Sequence, residues 1–274
     1  MSLLTVESAG PLTTLQDRGR IGLAHLGVPR AGALDRPAAD LANRLVGNHA
    51  DAALLEVTLG GFVARVSAGV WVAVTGAGHD HPRAQWVQPR QVVEVPVPSR
   101  GVRSYVAVGG GFQVDPVLGS RSTDTLAWVG PPRVVEGTDL RVGGSAEPRP
   151  LDVPRHPRPG PLRLHPGPHA SFFDGDAVAA LCAATYAVRP QSNRVGLRLE
   201  GPPVLRHGDA ELPSEGMVLG AVQVPPDGQP VVLLADHPPT GGYPVVGVVH
   251  PDDLWQCAQL RPGEPVRFRA VRAA

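Results

Sequence analysis

The sequence contains no lysine; all 25 of its basic residues are arginines. That absence removes several chemistries at once. Without a lysine amine there is no Schiff base, and so no pyridoxal-phosphate catalysis. There is no Walker A lysine for a standard P-loop. A Ser–Lys amidase triad cannot be assembled. Biotin, which is attached through a lysine amine, cannot be carried on this chain. Net charge is lacking as well, because 25 acidic residues balance the arginines. A neutral chain has no field to hold nucleic acid or an anionic membrane, so neither is expected as a partner. Cysteine is scarce. Cys182 and Cys257 are too few for a zinc site and read as thiols in a reducing compartment. No apolar run approaches the roughly 18 residues that a membrane span requires. The opening MSLLTVESAG lacks the basic and apolar regions of a signal peptide. The expected localisation is therefore cytoplasmic. No Gly-x-Ser-x-Gly elbow occurs, which argues against a self-contained covalent hydrolase.

What the sequence does have is turn residues and short apolar runs. Its 274 residues fit one large domain or two ordinary ones. Gly (33) and Pro (31) together reach roughly twice their usual share. Aromatics are only 4 % while valine is abundant, which suits β-structure packed by aliphatic side chains. The densest proline run lies in SAEPRPLDVPRHPRPGP, from Ser145 to Pro161. It blocks helix and central strand alike and reads as an extended linker. The predicted organisation is an N-terminal half over 1–145, a linker over 146–161 and a C-terminal half over 162–274.

Strands are predicted at 3–7, 54–58, 70–75, 91–97, 103–108, 217–224, 231–235, 245–249 and 265–269, bounded by Gly, Pro or Asp clusters. Three short helices are predicted. One runs from Asp35 to about Val46, capped by Asp35, with Pro37 in its first turn and Ala38, Leu41, Ala42 and Leu45 on one face. A second is capped by Asp176. A third begins at Pro251 and stops before Pro262. Many strands and few helices, without βαβ alternation, favour barrels or sandwiches. The echo between Arg20-Ile21-Gly22-Leu23 and Arg194-Val195-Gly196-Leu197 fits either a duplicated fold or chance.

Several clusters concentrate polar chemistry. TTLQDRGR (13–20) packs two hydroxyls, an amide, the carboxylate of Asp17 and the guanidiniums of Arg18 and Arg20 into eight residues. It reads either as an anion site or as an Asp17–Arg pair pinning a loop. Gly109-Gly110-Gly111 and GSRSTD (119–124) offer backbone amides together with Ser120 and Arg121, or simply form turns. DHPPTGGYP (236–244) follows an apolar strand. In it Asp236 is a candidate acid or base, Tyr243 an oxyanion donor, and Thr240, Gly241 and Gly242 a binding loop; the alternative is a tight loop around a packed tyrosine. Glu215 and Gln223 are candidates for the same mouth. The two histidines of His79-Asp80-His81 are too few for a metal, and no metal is expected. Glu56, inside an apolar strand, is either buried or turned outward.

These segments resemble the allophanate hydrolase subunit 2 family, also called the 5-oxoprolinase C-component or biotin-dependent carboxyltransferase-like family. The matching runs are TTLQDRGR, Gly27-Val28 with Gly32-Ala33-Leu34-Asp35, LEVTLGG (55–61), Thr75-Gly76-Ala77, and Arg103-Ser104-Tyr105 with Gly109-Gly110-Gly111. They continue through GSRST (119–123), RVGLRL (194–199), Ser214-Glu215-Gly216, QVPPDGQP (223–230), TGGYP (240–244) and QLRPG (259–263). They span nearly the whole chain in order.

The resemblance implies a mainly β fold of two cyclophilin-like β-barrel halves with a few short helices. It implies a hetero-oligomer with a subunit 1 homologue and a lactam-utilisation subunit, together forming an ATP-dependent 5-oxoprolinase. Such an enzyme opens 5-oxoproline to glutamate, ATP activating the lactam oxygen before water attacks. The site expected on this reading has Asp236, Tyr243 and Glu215 as catalytic residues. Gln223, Thr240, Gly241, Gly242, Arg121, Ser120, Arg20 and Asp17 would bind a small amide or lactam. ATP is expected mainly on another subunit or at an interface. The family also includes carboxyltransferase domains that act on urea or another small amide with biotin, and proteins that sequester kinase inhibitors. Val245 stands where a basic residue often follows the Gly-Gly-Tyr-Pro run, and lysine is absent throughout. Both departures favour lactam opening over biotin-dependent carboxyl transfer.

Overall fold

The structure is a computed structural model that describes residues 2–144, 147–148, 158–207 and 212–271. Most of the proline-rich segment predicted as a linker lies outside the described residues. The chain forms two compact units. The first holds the residues up to Arg20, Ala31–Asp124 and the chain from Trp128 on. The second holds the chain from Arg158 on, together with Ile21–Arg30 and Thr125–Ala127, two segments from the first half of the sequence.

Unit 1 contains β1 (Ser2–Ala9), β2 (Leu12–Gln16), α1 (Arg36–Leu45), β3 (Leu54–Thr58), β4 (Phe62–Val66), β5 (Val70–Gly76), β6 (Ala84–Val87), β7 (Val92–Val95), β8 (Arg103–Val108) and β9 (Asp139–Val142). Its strands form a four-stranded sheet, β7-β4-β1-β9, and a five-stranded sheet, β2-β3-β8-β5-β6. All the ladders are antiparallel. One face of each sheet meets in a single core that includes Leu4, Val6, Phe62 and Val66 of the first and Leu55, Val57, Val72, Val106 and Val108 of the second. Alternation in β3, β5 and β8 sends Leu54, Ala73, Tyr105 and Ala107 to the opposite face, where Ala38, Ala42 and Leu45 of α1 cover them. Hence β8 is buried at every position although its neighbours are not. The resemblance implied a barrel in each half. The chain is mainly β with a few short helices, as the resemblance also implied; in unit 1 the isolated bridges Thr13–Val134 and Phe112–Val142 accompany the two sheets.

Unit 2 contains β10 (Leu162–Pro166), α2 (Ala177–Ala183), β11 (Thr185–Val188), β12 (Gly196–Glu200), β13 (Glu215–Gly216), β14 (Ala221–Gln223), β15 (Val231–Leu233), β16 (Thr240–Gly241), β17 (Val245–Val249), α3 (Leu254–Cys257) and β18 (Pro265–Ala270). Seven strands close a barrel in the order β10-β17-β14-β15-β12-β11-β18. The parallel pairing of β10 with β18 completes the ring, which removes the exposed edges that an open sheet would leave. The strand predicted over 217–224 is shorter than expected. A turn at 219–220 precedes β14, and Glu215–Gly216 pairs instead with Thr240–Gly241 as a two-stranded ribbon.

Candidate functional site

In unit 2 the polar residues gather where the β13–β16 ribbon meets the ends of β14 and β17. Glu215 lies opposite Gly241, and Gly216 opposite Thr240. Two backbone bonds hold the ribbon in place: Met217 N–H donates to the Pro239 carbonyl (2.8 Å), and Val224 N–H to that of Pro244 (3.0 Å). Gln223, almost buried, uses its Nε2 on the Tyr243 carbonyl (3.3 Å) and the Met217 sulfur (3.1 Å). Its Oε1 is left without a partner among the described residues. A Cβ at position 241 would sit 2.8 Å from Gln223 Nε2, so glycine is needed there for the ribbon to approach. Beneath it Met217, Ala221, Leu233 and Val245 form a small apolar floor. The structure therefore brings Glu215, Gln223, Thr240, Gly241, Gly242 and Tyr243 to one mouth. Tyr243 and Thr240 are exposed.

His169 belongs to the same mouth. After β10 the chain runs along the start of β17, where Gly167 donates to the Val246 carbonyl at 3.0 Å. A Cβ on Gly167 would meet the Val245 carbonyl oxygen at 2.3 Å. This approach lets Val245 N–H donate to His169 Nδ1 (3.0 Å), while His169 Nε2 lies 3.2 Å from Glu215 Oε1. The ring edge packs on Phe172. A backbone amide can only donate, so the Nδ1 lone pair is taken and the neutral ring carries its proton on Nε2, facing Glu215. No pattern in the sequence marks His169, which follows the Pro166-Gly167-Pro168 run.

Asp236 is placed differently from the expectation. It is fully buried. Arg194 donates to it through Nε and Nη2, both at 2.9 Å, and Thr125 through its backbone N–H (2.9 Å) and hydroxyl (2.7 Å). These four bonds engage both of its oxygens, three of them at Oδ2, so Asp236 anchors the loop that leads to Thr240 and Tyr243. Arg194 stood in the RVGL echo, but its role was not legible there.

The next residue, His237, is also buried and donates from Nδ1 to the Pro238 carbonyl (2.7 Å). Burial holds its imidazole below the ordinary 6.5, and the Arg30 charge adds to this; the Pro238 bond and Asp236 act in the opposite direction. On acidification the unfolded chain therefore takes up a proton that the folded chain resists. Stability is present above about pH 6.5 and is lost as pH falls below it. Thermal melts across this range are expected to show a falling Tm, with a smaller fall in His237→Asn. An unchanged slope in that variant would assign the acid sensitivity elsewhere.

The remaining predicted residues lie in unit 1 and form a knot rather than an open site. Asp17 accepts from Gly19 N–H (2.8 Å), the hydroxyls of Ser120 and Ser122 (2.6 Å each) and Arg121 N–H (2.6 Å). Arg121 Nε donates to the Val114 carbonyl, and Arg20 to those of Val117 and Ser122. These groups tie the end of β2 to the 114–123 loop. Glu56, left open by the sequence, is buried. It accepts from Leu34 N–H (3.0 Å) and Tyr105 OH (2.9 Å), with Arg103 Nε at 3.4 Å. In His79-Asp80-His81, His79 bonds the Ala77 carbonyl and Asp80 pairs with Arg100. Among the described residues no three His, Cys, Asp or Glu side chains are grouped to hold a metal. No helix there is long and apolar enough to cross a membrane.

A closed barrel carrying a ribbon mouth, together with a two-sheet unit, is the architecture of a carboxyltransferase domain. The chain belongs to that family: residues 26–270 match the carboxyltransferase domain, subdomain A and B. It is 38 % identical to the C component of 5-oxoprolinase from Escherichia coli K12, over 97 % of this chain and 90 % of that protein. It is 33 % identical to urea amidolyase of Lachancea kluyveri, over 96 % of this chain but 16 % of that one. Among solved structures, TTHA0988 superposes with a TM-score of 0.87 at 38 % identity, covering 98 % of this chain and 56 % of that one. The urea carboxylase of Kluyveromyces lactis superposes with a TM-score of 0.87 at 28 % identity, covering 98 % and 27 %. The chain thus spans about half of TTHA0988 and about a quarter of the K. lactis enzyme.

Proposed function

We propose that the chain is one subunit of an ATP-dependent 5-oxoprolinase, acting with a subunit 1 homologue and a lactam-utilisation subunit in the cytoplasm. The observation that carries this reading is the 38 % identity, over nearly the full length of both chains, to a protein named as a component of 5-oxoprolinase. The mouth of unit 2 supports it with chemistry suited to a small amide. Glu215 and Gln223 Oε1 are acceptors, and the hydroxyls of Thr240 and Tyr243 are donors at its exposed rim. Glu215 and Tyr243 are the residues placed to meet the substrate; Asp236 acts through the loop it anchors. The described residues of the mouth do not suit a triphosphate, because among them they bring one carboxylate and no arginine. ATP is accordingly assigned to another subunit or to an interface.

The test is reconstitution. The three proteins are mixed and assayed for 5-oxoproline-dependent release of phosphate and glutamate, with each omitted in turn. Coupled release that vanishes when this chain is left out is the expected result. A stable complex without turnover would overturn the reading. A second reading, carboxyl transfer to urea or another small amide, is favoured by the likeness to K. lactis urea carboxylase. It requires biotin on a different chain, since this one has no lysine, and predicts carboxylated amide from carboxybiotin.

A further inference from the structure

The mouth has a polarity that the proposed function does not specify. His169 is buried, and both of its ring nitrogens have neighbours. Because Val245 N–H occupies Nδ1, the neutral ring offers Glu215 a proton donor whose direction the barrel strand fixes. Glu215 is thereby held at one oxygen, while its side chain stays partly open to solvent. Its second oxygen has no partner among the described residues. Gln223 is oriented in the same sense. Its amide nitrogen is spent on Tyr243 and Met217, which leaves its carbonyl oxygen to accept. Both groups adjoin Gly241, one by strand register and the other by contact. The inner mouth therefore presents acceptors, one of them charged.

We infer that the mouth grips the N–H edge of a small amide, lactam or urea, and that His169 is the positioning residue that aims Glu215 at that N–H. The inference deepens the proposed function and rests on the same mouth. It determines which way the substrate enters: the ring N–H points inward, and any carboxylate on the substrate points away from Glu215, since like charges repel. A hydrogen bond to a charged acceptor is strong enough to separate an N–H ligand from its N-methyl analogue.

The test uses the full chain labelled with nitrogen-15 at histidine, at mildly alkaline pH, titrated with 2-pyrrolidinone, urea and N-methyl-2-pyrrolidinone. The expected His169 signature is a protonated Nε2 and an unprotonated Nδ1, with saturable shifts on adding pyrrolidinone or urea and none with the N-methyl compound. His169→Asn keeps an acceptor for Val245 but has nothing at the Nε2 position. It is expected to fold and to bind pyrrolidinone about tenfold more weakly. His169→Gln restores a donor near Nε2 and is expected to recover most of that loss. Equal binding of the N-methyl compound, wild-type affinity in His169→Asn, or no binding of either N–H ligand overturns the inference. The reconstituted complex separates it from the functional proposal. If 5-oxoproline is not turned over but N–H-dependent binding persists, the function fails and the inference stands. If turnover proceeds with unchanged kcat and KM in His169→Asn, the function stands and the inference falls.

Discussion

Arg194→Ala is expected to destabilise the protein by about 3–5 kcal/mol, because it breaks a buried ion pair from one side. Arg194 and Asp236 are almost completely buried and meet through two bonds of 2.9 Å in fork geometry. Without the guanidinium, Asp236 keeps the N–H and hydroxyl of Thr125, neither of which carries charge. Burying an uncompensated carboxylate is far more costly than never burying the pair. At about 2–4 °C per kcal/mol for a chain near this size, Tm should fall by about 6–20 °C. The double variant Arg194→Met with Asp236→Leu should lose much less than the two single variants added together, since it removes both charges. Thermal and denaturant melts of the wild type, Arg194→Ala, Arg194→Met, Asp236→Leu and the double variant read this directly. A loss below about 1 kcal/mol in Arg194→Ala would show that water reaches Asp236. The same geometry predicts how Asp236→Ala affects activity: through displacement of the 236–244 loop that carries Thr240 and Tyr243.

Tyr105→Phe is expected to cost about 2–4 kcal/mol, since one buried oxygen serves two partners. The Tyr105 hydroxyl accepts from Asp35 N–H at 2.7 Å and donates to Glu56 Oε2 at 2.9 Å. Asp35 also caps α1 by accepting from Ala38 N–H. The phenol thus fastens the start of the helix to the five-stranded sheet, and the variant strips one partner from each end of that link. The wild-type protein should in addition be sensitive to alkali. Burial, and then the charges of Glu56 and Asp35, push the Tyr105 hydroxyl well above its ordinary 10.0. Above pH 10 the unfolded chain releases a proton that the folded chain retains, so stability falls as pH rises, by up to about 1.4 kcal/mol per pH unit for this group. Tyr105→Phe should remove that contribution. Identical alkaline slopes in the two proteins would place the sensitivity at another residue, such as Tyr186, whose hydroxyl burial also pushes up.

Most local structure was legible because its causes lie within a few residues of one another. Asp35 and Asp176 cap the helices predicted to start there, each accepting from an N–H three residues on. The β-branched runs marked β5, β8 and β17. The ribbon of Glu215–Gly216 with Thr240–Gly241 was not legible. Two residues carry no periodicity, and the strand predicted over 217–224 began just after Gly216. Glu56 could not be assigned a side, because an isolated β-strand does not show whether a helix covers its second face.

The candidate site divides in the same way. Composition and the order of the motifs were enough to establish a lysine-free, charge-balanced, turn-rich β chain, its family, and the loops that supply Glu215, Gln223, Thr240 and Tyr243. What each polar group faces was settled in three dimensions. Barrel closure brings His169 to Val245, 76 positions away, and so to Glu215. The packing of residues 125–127 within the second unit delivers Thr125 to Asp236, 111 positions away. It thereby makes Asp236 a buried anchor, whereas the Glu215 side chain stays partly open to solvent. Partnership between distant side chains is set by how the sheet closes and what it buries, and neither quantity is encoded in the spacing of the residues themselves.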